Sequence, residues 1–132
     1  MILIYDRNRE KILMCKRSKE PFKGLLQLVG GKIENGEDGL SAAYREMLEE
    51  TSIPFNVIRL SHLMDFTYYY SDCYVEVYVG KLKNDVVVNG DENELFWIDA
   101  DKDFFDKNTF AGDGNIGHII EETKYYLDKL FE

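Results

Sequence analysis

The spacing of apolar residues changes several times along this chain, and each spacing predicts a different element. Ile2 to Tyr5 and Lys11 to Cys15 read as short strands around the polar turn Asp6-Arg7-Asn8-Arg9. Leu25 to Val29 is a brief apolar run that stops at Gly30-Gly31. From Asp38 to Thr51 the period becomes helical, with Leu40, Ala43, Tyr44, Met47 and Thr51 on one face, and Pro54 follows as a stop. Val57 to Tyr70 alternates loosely and is rich in Tyr and Phe, and Tyr74 to Leu82 is a clear strand. Asn84-Asp85 and Asn89-Gly90-Asp91 have turn chemistry, and Leu95 to Ile98 is another short strand. Ile116 to Phe131 is predicted as one long helix, with Ile116, Ile119, Ile120, Thr123, Tyr126, Leu127 and Leu130 on one side. Two helices interspersed among strands predict an α/β or α+β sandwich, with residues 1–132 forming one domain. Periodicity alone does not give the strand order.

The other face of the first helix carries the candidate chemistry. Arg45, Glu46, Glu49 and Glu50 follow a Gly-rich turn. Residues three and four apart share a helix face, so the glutamates project as one carboxylate cluster. Like charges in one patch repel, and a hard divalent cation with oxygen ligands would remove that repulsion. Arg45 lies four residues before Glu49 and can hold its carboxylate in one orientation. The competing account is an ordinary solvated face, since most Glu-Glu pairs on helices bind nothing.

The wider spacing changes that balance. Gly31, Glu37, Arg45, Glu46, Met47, Glu49, Glu50 and Ile53 resemble the Nudix hydrolase signature, G-x5-E-x7-R-E-U-x-E-E-x-G-U, where U is a bulky apolar residue. The one departure is Ser52, where the pattern has Gly just beyond the helix; every charged position is present. The resemblance implies the Nudix fold, a mixed β-sheet sandwiched between helices. It also implies Mg²⁺-dependent (or Mn²⁺-dependent) hydrolysis of a nucleoside diphosphate linked to another moiety. On that resemblance Glu46, Glu49 and Glu50 are metal ligands, one of them doubling as base. Arg45 orients Glu49, and Gly31 offers a carbonyl to the metal or lets the phosphates approach. Glu37 braces the loop, with Lys32 and Glu34 in support. The substrate would be an oxidised purine nucleoside triphosphate such as 8-oxo-dGTP. The alternatives are ADP-ribose or another nucleotide sugar, and a non-catalytic ligand-binding or sensor module. A sensor would be expected to have lost box carboxylates, and none is missing.

Outside the box the signals are weaker, and each has a plainer competitor. Glu92 and Glu94 precede Leu95-Phe96-Trp97; Glu94 is the preferred extra metal ligand, against two solvated acids on a turn. Lys16, Arg17 and Lys23 precede the box and are candidates for phosphate contacts, Lys23 among them, against simple exposure. Trp97 either stacks on a base or packs in the core. Asn115 has donor and acceptor atoms to read a purine edge, against helix capping by Asp113 or Asn115. His62 and His118 have no ligand spacing and are expected to be packed or exposed.

Composition narrows the partners. A formal net charge of −9 argues against polynucleotide binding, which needs cations for phosphates, and leaves a small-molecule nucleotide admissible. Cys15 and Cys73 form no CxxC and are expected to be reduced thiols in a cytoplasmic protein. No apolar run is long enough to span a membrane. The aromatic run Phe66 to Tyr70 is expected to pack on the sheet; lining the pocket or facing a second copy in a homodimer are the other readings.

Overall fold

A computed structural model describes residues 1–68, 72–90 and 92–131. Six strands form one mixed sheet: β1 (Ile2–Tyr5), β2 (Lys11–Lys16), β3 (Leu26–Leu28), β4 (Ser61–Tyr68), β5 (Cys73–Lys81) and β6 (Leu95–Asp99). The helices are α1 (Gly39–Thr51), α2 (Asn115–Lys124) and the short α3 (Leu127–Leu130). Strand β2 is paired on both edges. Antiparallel β6 covers one edge, with Leu13 opposite Trp97, while β1 and β3 share the other, Tyr5 opposite Ile12 and Met14 opposite Leu28. β1 also runs parallel to β5, Ile2 opposite Tyr78, and β4 closes that side as an antiparallel partner of β5 with a bulge between His62 and Met64.

Alternation along each strand makes two core layers. Ile2, Ile4, Leu13 and Cys15 face α1 and meet Ala43, Met47, Ile53 and Leu60. Leu3, Tyr5, Ile12 and Met14 face the other way and meet Phe104, Phe110, Ile116, Ile119 and Ile120. A strand covered on both faces needs apolar residues at every position, which is why Ile12 to Cys15 is an unbroken apolar run. The result is the expected mixed sheet between helices.

Three predicted elements need correction. The C-terminal helix is not continuous: Tyr125 and Tyr126 donate to the Glu122 and Thr123 carbonyls, three residues back, and the α-helical ladder stops. The break lets Leu127, Leu130 and Phe131 pack onto the α2-side core, where Phe131 meets the Tyr5 ring at 5.7 Å. The stretch beginning at Val57 opens as a 3₁₀ turn, Phe55–Val57, and the strand starts at Ser61. Leu40 is 42% exposed, and the buried face of α1 is Ala42, Ala43, Met47 and Thr51. Tyr69, Tyr70 and Asp91, from the predicted aromatic run and turn, lie outside the described residues.

Candidate active site

Helix α1 is fixed at both ends by local chemistry. Asp38 is the N-cap and accepts from the Ser41 N–H at 2.7 Å. This bond holds the Asp38 carboxyl below the usual carboxylate range. At the other end Ser52 takes the left-handed conformation, φ 66°, and its N–H bonds the Leu48 carbonyl. This is the αL helix ending that glycine normally supplies, here made by a serine whose hydroxyl donates to the Asn89 carbonyl at 3.1 Å. The box therefore keeps its turn geometry without the glycine.

Arg45 organises the acidic face. Its Nε and Nη2 grip Glu37 at 3.1 and 2.6 Å, a bidentate pair that depresses the Glu37 pKa. Nη1 bonds Glu46 at 2.8 Å and Glu49 at 3.2 Å, and Nη2 also reaches the Lys32 carbonyl at 2.9 Å. Arg45 thus ties the Gly-rich loop to the helix and sets two carboxylates, not Glu49 alone. Glu37 also accepts from the Glu34 N–H at 2.8 Å, which makes it a loop brace. The contacts show why position 31 carries no side chain: a Cβ on Gly31 would run into the Glu46 carboxylate.

Glu50 sits apart from that cation. Its Oε2 accepts from the Gly30 N–H at 3.1 Å. Burial pushes its pKa up to about 7, with the Gly30 bond opposing and the Glu46 and Glu92 charges adding to the rise. Glu46, Glu49, Glu50, Glu92, Asn93, Gly31, Cys15 and Leu95 line a cleft of about 590 Å³. Asn93 Oδ1 is buried there with no hydrogen-bond partner among the described residues. Convergent carboxylates beside an unpaired amide oxygen form an all-oxygen donor set, which fits a hard divalent cation.

The structure brings together Gly31, Glu46, Glu49 and Glu50, with Arg45 behind them. It does not bring Glu94 into this group. The Glu94 carbonyl accepts from the Lys16 N–H at 3.0 Å, its side chain is exposed, and Glu92 lines the cleft instead. Residues 92 and 93 are bends, so strand parity does not extend back from β6. Gly90 lies against the Asn93 and Glu50 carbonyls and folds this loop onto the end of α1. Trp97 packs against the α1-side core, and Lys23 is exposed on the β2–β3 loop.

A second, mostly apolar cavity of about 570 Å³ is lined by Met1, Arg17, Phe22, Gln27, Tyr68 and Asn115, among others. A Cβ on Gly30 would meet the backbone of Met1, which lines this cavity, while one on the next residue, Gly31, which lines the cleft, would meet the Glu46 carboxylate. Asn115 is thus at a cavity wall. It does not cap the helix: Gly114, φ 95°, holds the N-cap position of α2, and no side chain caps it. The capping expectation for Asp113 and Asn115 is therefore corrected. Sequence reasoning missed Gln27, Asn93 and the cavity itself, which several distant segments build.

On the outer part of β4 and β5, ligand atoms of His62, Asp65 and Glu76 lie within 4.8 Å of one another. His62 Nε2 is 2.6 Å from Asp65 on β4, and the Tyr78 hydroxyl donates to Glu76 at 2.9 Å on β5, so each carboxylate already has a partner on its own strand. His118 is exposed, with Phe105 edge-on at 5.0 Å. Among the described residues no helix is long and apolar enough to cross a membrane.

Comparison with known proteins agrees with this geometry. The NUDIX domain family model matches residues 1–112. An ADP-ribose pyrophosphatase of Methanocaldococcus jannaschii is 49% identical over 43 residues, 33% of this chain and 25% of that protein, so the match spans a quarter of its length. Two solved structures share the fold. One is a C. elegans Ap4A hydrolase binary complex, with TM-score 0.78 and 19% identity over 97% of this chain and 96% of that one. The other is the NUDIX domain of Shewanella oneidensis NrtR complexed with ADP ribose, with TM-score 0.71 and 18% identity over 96% and 84%. With its box complete in every charged position and the family match covering most of its length, the chain belongs to the Nudix family.

Proposed function

We propose that this protein is a divalent-metal-dependent pyrophosphohydrolase that cleaves a nucleoside diphosphate linked to another moiety. The observation that carries this reading is the cleft, where Glu46, Glu49, Glu50 and Glu92 converge while Arg45 pairs with only two of them. Mg²⁺ or Mn²⁺ held there would screen the diphosphate charge and activate water. Arg45 fixes Glu46 and Glu49 in place. The Gly30 N–H holds one oxygen of Glu50, and Oε1 has no protein partner among the described residues, so it is left to accept a proton from water. The loop at Gly31 lets a phosphate come close to the helix.

Two substrate types have support. The archaeal relative's activity points to ADP-ribose. Asn115 at the wall of the apolar cavity points to a purine nucleoside triphosphate, including an oxidised one such as 8-oxo-dGTP. The test is a product-release assay across ADP-ribose, 8-oxo-dGTP, ordinary nucleoside triphosphates and dinucleoside polyphosphates, with and without Mg²⁺. Metal-dependent turnover of at least one is expected. Nucleotide binding with no turnover in Mg²⁺ or Mn²⁺ would identify a sensor module instead.

A further inference from the structure

The apolar cavity contains a cation that the hydrolysis above does not use. Of Lys16, Arg17 and Lys23, only Arg17 lines it. The Arg17 Nε donates to the Pro21 carbonyl at 2.7 Å, and Nη1 donates to Gln27 Oε1 at 2.7 Å. Gln27 is itself held, its Nε2 donating to Cys15 Sγ at 3.7 Å. The loop between these residues is closed by Gly24 N–H on the Arg17 carbonyl and Leu25 N–H on the Phe22 carbonyl. Within it Phe22 is forced to φ 66°, a conformation bulky residues avoid, and it lines the same cavity.

Guanidinium has five N–H donors and no acceptor. The two bonds above use the Nε hydrogen and one Nη1 hydrogen, which leaves the second Nη1 hydrogen and both Nη2 hydrogens without a partner among the described residues. A fixed fork in a wall of Met1, Phe22, Val75 and Ile116 suits a flat, largely apolar ligand with two adjacent acceptors on one edge. A keto-purine has that edge, O6 beside N7, whereas adenine sets an amino donor beside N7. Phosphate also offers adjacent acceptors, but its full charge is poorly matched to aliphatic walls.

We infer that Arg17, positioned by Gln27, makes this cavity selective for a keto-purine ring such as guanine over adenine. The inference rests on the reading that a nucleotide spans cavity and cleft. It ranks ADP-ribose, an adenine nucleotide, below guanine nucleotides as a ligand.

Equilibrium binding tests it independently of turnover. GDP, ADP and inorganic pyrophosphate are titrated into the wild type, Arg17→Lys and Gln27→Leu by calorimetry, with melts to show that each variant is folded. GDP is expected to bind the wild type about tenfold or more tightly than ADP, the scale of one bidentate base contact. In both variants that ratio should fall to about twofold or less, with pyrophosphate binding unchanged. Gln27→Leu keeps the Arg17 charge, so it separates geometry from charge and provides a second test if Arg17→Lys does not fold. Equal binding of GDP and ADP by the wild type, or of neither, overturns the inference. So does an equal loss of all three ligands in Arg17→Lys, which would make Arg17 a phosphate contact. GDP preference without hydrolysis of any substrate would keep this inference and remove the enzymatic reading.

Discussion

Two side chains in the box carry opposite burdens. Glu50 is half-buried with one backbone N–H for company, whereas Glu46 and Glu49 share a guanidinium. Glu50→Gln keeps the shape and the Gly30 contact but removes the charge, so turnover should drop by ~10² or more while the far-ultraviolet circular dichroism is unchanged. A folded mutant with wild-type turnover would take Glu50 out of the mechanism. Arg45→Lys tests positioning. An ammonium cannot grip Glu37 with two parallel bonds while reaching Glu46, Glu49 and the Lys32 carbonyl. Turnover should fall and the Mg²⁺ concentration for half-maximal rate should rise, with substrate preference retained. A change in which nucleotide is preferred would instead make Arg45 a substrate contact. The box residues were legible because their geometry is local, set by helix spacing. Glu92 and Glu94 were both candidates, but the choice of Glu92 was not legible, because it depends on the bends at residues 92 and 93.

For the elements, the helix ends show what sequence spacing can and cannot tell. The limits of α1 fell close to expectation, because Asp38 and Ser52 act through bonds to their own helix. Ser52 pays a conformational cost that glycine would not, offset in part by an exposed hydroxyl bond to Asn89. Ser52→Gly should therefore raise the unfolding free energy by roughly 0.5 kcal/mol, read from denaturant titration. A loss of stability would mean that the hydroxyl bond outweighs the strain. The C-terminal helix was less legible. Its apolar spacing continues through Tyr126, Leu127 and Leu130, yet the helix breaks at Tyr125–Tyr126, and beyond the break Leu127, Leu130 and Phe131 pack on the core, Phe131 against Tyr5. Tertiary packing decided there, and no local signal marks it.

Across the whole molecule, folding gathers a large like-charge density into one cleft. A cation that binds only this assembled cleft must stabilise the fold, by about 2.7 kcal/mol at a hundredfold excess over its Kd. Mg²⁺ should raise the midpoint of thermal unfolding, and Glu50→Gln should shrink that rise. An equal rise in the mutant would put the ion elsewhere, with the His62, Asp65 and Glu76 group on the β4–β5 hairpin as the first place to look. The sandwich class could be read from the alternation of elements, but the strand order could not. Nothing in the local pattern of Ile2 to Tyr5 says that its parallel neighbour is the distant strand Cys73–Lys81, with Ile2 opposite Tyr78.

That parallel pairing also sets a tempo. The β4–β5 hairpin joins neighbours in sequence and can form from a short loop. β1 cannot dock on β5 until the intervening chain, α1 included, has been gathered into a closed loop, and that entropy is spent before the contacts return it. Refolding should therefore take on the order of milliseconds or longer, not microseconds. Trimming a methyl group within β1, as in Ile4→Val, should slow refolding more than it accelerates unfolding, because the β1–β5 pair forms at the barrier. Stopped-flow traces in which Ile4→Val chiefly accelerated unfolding would place the docking of β1 after the barrier instead.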